Sequence, residues 1–146
     1  MRNKYIINQE TKSYLANLLA TERLEVQYRK TQTASFDVKN RILTIPIWKK
    51  DLSEPVTDLF VAHEVGHALY TPLSLLKKAQ KQKINHSIVN VVEDARIEKL
   101  IKRKYNGLRQ SFIRGYRELI AKDFFGTVKK DVNEMLLIDR LNIHFK

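Results

Sequence analysis

One segment constrains the fold more than any other: "DLSEPVTDLFVAHEVGHALYTP" predicts a helix that is apolar on most sides. Asp51 or Ser53 can cap its start, and Pro55 suits its first turn. Pro72 disfavours helical geometry in the residue before it, which predicts an end near Tyr70. A helix with so little polar surface packs inside the domain, so its few ionisable side chains need a partner there.

Two of the chain's four histidines lie in this helix, with a glutamate directly after the first. Residues four apart share a helix face, with Cβ atoms about 5–6 Å apart, so His63 and His67 can bind one metal ion. Glu64 lies about 100° further around the helix, where it can move a proton between a bound water and a leaving group. Because the chain has no cysteine, imidazoles and carboxylates must hold the ion, and Zn²⁺ is the expected cofactor. Gly66 permits a close approach by the sheet or a substrate.

A catalytic zinc ion needs a third protein ligand and an open fourth position. The segment "IVNVVEDARIEKLI" is apolar on most sides, so a carboxylate within it needs a partner or a metal. Glu93 is the expected ligand, because it shares a helix face with Asn90 and His86 and has the longer side chain. Asp94 is the alternative. A buried ion-pair cluster, for example Asp94 with Arg96, is the interpretation that requires no metal.

The residues before this helix change to a period of two, which predicts strands. "LEVQYRK" alternates, and "ASFDVKNRILTIPIW" predicts two strands joined by a turn at residues 39–41. Pro46 removes a backbone donor from the second of these strands, which predicts that residues 42–48 form a sheet edge. We therefore expect a small antiparallel sheet.

Helical periodicity dominates the rest of the chain. It predicts a first helix in "NQETKSYLANLLATERL" and a long one in "HSIVNVVEDARIEKLIKRKY", capped by Asn85. A further helix is predicted to end at Gly126, and a last one to begin at Asp131 with Glu134 completing a capping box. The order of elements indicates one α+β domain, mostly helical, over residues 1–146.

The motifs "HEVGHALYTP" and "NVVEDARIE", preceded by "ILTIPIW", resemble the gluzincin group of zinc metallopeptidases. More narrowly, they resemble metallopeptidases encoded by bacteria and phages, some of which continue into a von Willebrand factor A-type domain. The resemblance covers about residues 33–98 and implies a zincin-like domain with its small sheet packed on the motif helix. It implies that His63, His67 and Glu93 bind zinc, that Glu64 is the general base, and that strand 42–48 pairs with an extended peptide.

The chain departs from this family at one position. Better-known gluzincins often place an acid four residues after the ligand glutamate, where it orients a histidine, and the corresponding residue here is Ile97. The oxyanion stabiliser is also open among several side chains, namely Tyr70, His86, Arg96, Tyr105 and Tyr116.

The predicted function is therefore a zinc-dependent metalloendopeptidase, a hydrolase that acts on peptide or protein substrates. The absence of cysteine, of a signal-peptide core and of a long apolar run leads us to expect a cytoplasmic protein without a membrane partner, in the host cytoplasm if it is phage-encoded. The abrupt end at "LNIHFK" leads us to expect the N-terminal part of a longer protein.

The net charge of +11 favours polyanionic partners. Residues 96–130 are rich in lysine and arginine, and Tyr105, Phe112 and Tyr116 lie among them. This pattern is typical of a solvated helix face over a packed aromatic core, but it also suits a surface that binds nucleic acid or an acidic protein. The alternative function is a non-catalytic, metal-containing module that binds such a partner through its basic helices.

Overall fold

The computed structural model describes residues 9–47 and 52–146, and in these it contains six α-helices and a three-stranded sheet. The elements are α1 (Gln9–Ala20), β1 (Glu25–Arg29), β2 (Ser35–Asp37), β3 (Ile42–Pro46), α2 (Glu54–Tyr70), α3 (Leu73–Lys81), α4 (His86–Lys104), α5 (Leu108–Ala121) and α6 (Leu137–Phe145). The predicted α+β class is confirmed. Trp48 and the alternative helix cap Asp51 lie outside the described residues.

Helix α2 is the centre of the fold, and its ends are the predicted ones. The Ser53 hydroxyl accepts a hydrogen bond from the Val56 N–H, and Pro55 lies in the first turn. Thr71 is extended and donates its N–H to the His67 carbonyl at 2.9 Å, which ends the helix before Pro72. Helices α1, α4 and α5 and strands β2 and β3 all contact α2, so it is buried on most sides.

The small sheet differs from the prediction in two ways. Its strand order is β1-β3-β2, with β3 parallel to β1 and antiparallel to β2, so the sheet is mixed and not antiparallel. Strand β3, predicted to be an edge, is the central strand. It tolerates Pro46 because this residue ends the strand, whereas β2 pairs only with Ile42 to Thr44. Leu43 and Ile45 are fully buried.

The last two helices are shorter than predicted. Helix α5 ends at Ala121, because Asp123 adopts a left-handed conformation (φ 52°) and its side chain accepts hydrogen bonds from the Thr127 and Val128 N–H groups. Asp131 caps only a single 3-10 turn, since Met135 is extended beyond it, and α6 begins at Leu137. Asn85 caps α4 as predicted, through a hydrogen bond from the Ser87 N–H at 2.9 Å.

Two glycines allow helices to approach α2 closely. A Cβ atom on Gly115 of α5 would lie 2.6 Å from Leu59 Cβ and 2.8 Å from the Pro55 carbonyl oxygen. A Cβ atom on Gly66 would lie 2.8 Å from Ile97 Cδ1. The element that approaches Gly66 is therefore helix α4, and not the sheet or a substrate as expected. These two contacts fix the positions of α5 and α4 against α2.

The Gly115 contact predicts that Gly115→Ala lowers the free energy of unfolding by about 1–3 kcal/mol, the usual cost of overpacking a core. Gly107→Ala is the matched control, because a Cβ atom on Gly107 would have no neighbour within 4 Å and the residue is already in a right-handed conformation. Urea unfolding monitored by circular dichroism measures both. Equal stability of the two variants would contradict the tight α2–α5 contact.

Candidate metal centre

Helices α2 and α4 bring three potential metal ligands together. The Nε2 atoms of His63 and His67 lie 3.5 and 3.2 Å from Oδ1 of Asp94. Tetrahedral coordination at bond lengths of about 2.0–2.1 Å places neighbouring ligand atoms about 3.3 Å apart, so these separations suit a zinc ion. Within residues 9–47 and 52–146, this is the group of histidine and acidic side chains whose ligand atoms all lie within 4.8 Å of one another.

The acidic residue beside the histidines is Asp94, the alternative ligand, whereas Glu93, the expected ligand, is engaged by other side chains. Glu93 is buried, but its carboxylate accepts hydrogen bonds from the Thr71 hydroxyl at 2.6 Å and from the Arg96 guanidinium at 2.7 and 2.8 Å. The surface of α4 that packs on α2 carries Asp94 and, one turn later, Ile97. Glu93 lies about 100° around the helix from Asp94, and its side chain reaches Thr71 instead of the histidines.

Replacing Glu93 by Asp94 as the candidate ligand also identifies an acid, four residues later, that orients a histidine. Counting four residues from Asp94 leads to Glu98, and Oε1 of Glu98 lies 2.8 Å from Nδ1 of His63. A carboxylate can only accept here, so Nδ1 carries the hydrogen and Nε2 is left to bind a metal. Burial raises the pKa of Glu98, but the hydrogen bond and charge of His63 outweigh it and lower that pKa to about 2. Glu98 also accepts hydrogen bonds from the Tyr116 hydroxyl and from Lys146 Nζ.

A second chain of hydrogen bonds orients the other histidine. The Thr71 hydroxyl donates to Glu93, so its oxygen is left to accept from Nδ1 of His67, at 2.9 Å. Arg96 in turn holds Glu93 and also donates to the Tyr70 carbonyl oxygen. This chain leaves Nε2 of His67 facing Oδ1 of Asp94, at 3.2 Å, where the nitrogen could bind a metal. Glu93 thus supports the site indirectly, through Thr71.

Glu64 is the remaining acid of the centre. It is 6% exposed, lines the cleft beside the histidines, and makes no hydrogen bond or ion pair with another residue in the described part of the chain. Burial raises its pKa, although the charges of His63 and His67 oppose the increase. A carboxylate with a raised pKa and no protein partner is suited to accept and return a proton.

The centre opens into a cleft of about 600 Å³ between β2, α2 and α4. Ser35 and Phe36 of β2 line one side, and His86 and Asn90 of α4 line the other. The sheet edge beside the cleft is therefore β2. Strand β3, part of the predicted substrate-binding strand 42–48, pairs with β1 along its length and with β2 at residues 42–44.

The structure separates the candidates for the oxyanion stabiliser. His86 and Tyr116 line the cleft, although the Tyr116 hydroxyl is already donated to Glu98. The Tyr105 hydroxyl donates to the Leu19 carbonyl, 2.8 Å away. Arg96 is engaged by Glu93, and Tyr70 is absent from the cleft lining. Lys146, a cation that the sequence did not suggest, also lines the cleft. Its Nζ atom lies 3.6 Å from Oδ2 of Asp94.

Sequence reasoning missed three supporting residues. Thr71 and Glu98 carry a recognisable signal, since Thr71 lies four residues after His67 and Glu98 lies four residues after Asp94. Lys146 carries none, because its position depends on how α6 packs against α4.

Comparison with protein-family models, with curated proteins and with solved structures gives no match to this chain. In the part of the chain that the structure describes, none of the helices combines the length and apolar character needed to cross a bilayer.

The geometry predicts different effects for the two neighbouring acids. Asp94→Ala removes a ligand and should lower zinc affinity by well over 100-fold. Glu93→Gln only weakens the support of His67 and should lower it about 10- to 100-fold, the usual effect of altering a partner of a ligand. Competition with a chromogenic chelator measures both affinities. A larger loss for Glu93→Gln would restore Glu93 as the ligand.

The contact between Gly66 and Ile97 also leads to a prediction. Gly66→Ala should push α4 away from α2 and lower zinc affinity at least tenfold, because Asp94 then moves away from the histidines. Ile97→Val removes Cδ1, the atom nearest the new methyl group, so the double variant should recover most of the affinity. An equally weak double variant would mean that the helix spacing does not control the site.

Proposed function

We propose that the protein is a zinc-dependent peptidase whose metal ligands are His63, His67 and Asp94 and whose general base is Glu64. The observation that carries this proposal is the convergence of two imidazole nitrogens on one carboxylate oxygen, at 3.5 and 3.2 Å, beside a buried carboxylate that has no protein partner. The resemblance of "HEVGH" to the motif of gluzincins supports the same function.

The donor set fits zinc, because imidazole nitrogens and one carboxylate oxygen with an open side toward a cleft are typical of catalytic zinc sites. His63, His67 and Asp94 would hold a zinc ion, which would lower the pKa of a water molecule and polarise the carbonyl of the scissile bond. Glu64 accepts the proton of the attacking water on its carboxylate and then donates it to the departing amine nitrogen. Glu98 and Thr71 keep the imidazoles in the required tautomer throughout.

The shape of the cleft supports an extended peptide as substrate. Strand β2 pairs with β3 on one side only, and residues 33–36 line the cleft beside Glu64. A peptide in extended conformation can add to such an edge through backbone hydrogen bonds, which holds its carbonyl groups in a fixed register. We propose that β2, and not β3, is the strand on which the substrate lies.

Glu64→Gln tests the catalytic role. The variant should retain zinc, because Glu64 is not a ligand, and should lose hydrolysis of peptide bonds by about 10²–10⁴-fold or more, the contribution of a positioned proton-transfer group. Glu134→Gln, an exposed glutamate outside the cleft, is the matched control and should be fully active. Zinc content is measured by atomic absorption, and hydrolysis by mass spectrometry of an unfolded protein substrate.

Two outcomes would refute this function. One is a purified chain that takes up no zinc from excess metal. The other is a zinc-loaded protein that cleaves nothing in a diverse peptide library, while zinc still raises its thermal stability. The second result would instead favour the non-catalytic, metal-containing module.

A further inference from the structure

A second cavity, separate in its chemistry from the metal cleft, lies between α4, α5 and the end of α6. It has a volume of about 660 Å³, and half of its twelve lining residues are lysine or arginine, compared with 27 of 146 in the whole chain. These cations are Arg96, Lys99, Lys102, Arg103, Arg109 and Lys146. We call this cavity the basic pocket.

The cations follow from the helical period of the two helices. Lys99 and Arg103 lie one turn apart on α4 and face Arg109 at the start of α5. In the described part of the chain, none of these three side chains has an acidic partner. The acid that lines the pocket, Glu98, is 2% exposed and already accepts hydrogen bonds from several groups. Lys99, Arg103 and Arg109 therefore carry uncompensated positive charge, whereas the other three cations of the pocket pair with acids.

The interior of the basic pocket is apolar and aromatic. Phe112 and Tyr116 are buried in its wall, while Ile113 and Phe145 are 50% and 47% exposed. Lys102 Nζ lies 5.0 Å from the centre of the Phe112 ring, which shows a cation and an aromatic side chain in direct contact. A ligand must therefore bring negative charge to the rim and a flat or apolar group to the interior.

We propose that the basic pocket binds single-stranded nucleic acid, with phosphates at the arginine and lysine rim and an unpaired base against Ile113 and Phe145. A nucleotide chain alternates anionic phosphates with planar bases, which matches the alternation of cations and apolar surface. A duplex keeps its bases paired inside and offers the interior of the pocket nothing to bind. A peptide of acidic residues alone supplies charge but no planar group between its charges. This inference does not depend on the proposed peptidase activity.

The binding is tested with a fluorescently labelled single-stranded oligonucleotide of about twelve nucleotides, within the site size usual for such proteins, by fluorescence anisotropy at several salt concentrations. Wild-type protein should bind it more tightly than a duplex of the same length, and affinity should fall steeply with salt. The Glu64→Gln variant should bind equally well.

Charge is tested with R103Q/R109Q. Loss of two phosphate contacts should lower affinity at least tenfold and reduce the slope of log affinity against log salt by about 1.4, since each contact contributes about 0.7 on a single strand. The control, K30Q/K77Q, removes the same net charge from lysines outside both cavities and should change affinity less than twofold.

Stacking is tested with Phe145→Leu, which keeps apolar volume but removes the ring. Affinity should fall about fivefold or more, with an unchanged salt slope.

The proposal is overturned if the control double variant loses as much affinity as R103Q/R109Q, if the duplex binds as tightly as the single strand, or if a polyglutamate peptide of equal charge competes equally well. Failure of the wild type to bind at low salt also overturns it. Circular dichroism of each variant verifies its fold.

Discussion

The close approach of α2 and α4 at Gly66 is the constraint on which the candidate metal centre depends. Ile97 packs where a side chain on Gly66 would be, and this contact lies one turn along α4 from Asp94 and one residue from Glu98. It therefore sets both the distance from Asp94 to the imidazoles and the hydrogen bond between Glu98 and His63. A rigid, close-packed interface holds ligand atoms more accurately than flexible loops can, which a site for metal chemistry requires.

The opposite charges of the candidate metal centre shift the pKa values of its side chains. Burial raises the pKa of Asp94, but hydrogen bonds with His63 and His67 outweigh it and hold that pKa well below its usual range. Burial lowers the pKa of His63, and its hydrogen bonds with Asp94 and Glu98 nevertheless raise it to about 10. The carboxylates thus favour positive charge at the His63 imidazole. A proton supplies it in the free protein, and a divalent cation with the same partners supplies more.

Local signals in the sequence were sufficient for much of this structure. Ser53 and Pro72 define α2 through backbone geometry alone, and Asn85 does the same at the start of α4. The pair His63 and His67 needed only the helical period. These features depend on residues within one or two turns of each other, so no knowledge of the tertiary structure was required.

The errors arose where distant segments meet. Alternation identified the strands, but the position of β3 between β1 and β2 depends on pairing partners that no local pattern specifies. Glu93 and Asp94 are adjacent, and only the rotation of α4 against α2 decides which one reaches the histidines. Helix α5 is a different case, because Asp123 ends it early through its own side-chain hydrogen bonds, in a stretch whose apolar residues suggested a longer helix.

Glu98 connects the two cavities, since it accepts a hydrogen bond from His63 of the metal cleft and itself lies in the wall of the basic pocket. Lys102 and Lys146 both approach its carboxylate, at 3.8 and 2.9 Å. Any anion that draws these two cations toward itself leaves Glu98 with a stronger negative field at the imidazole. A metal ion at His63 and an anion in the basic pocket would then be thermodynamically linked, and by reciprocity each would change the affinity for the other by the same factor.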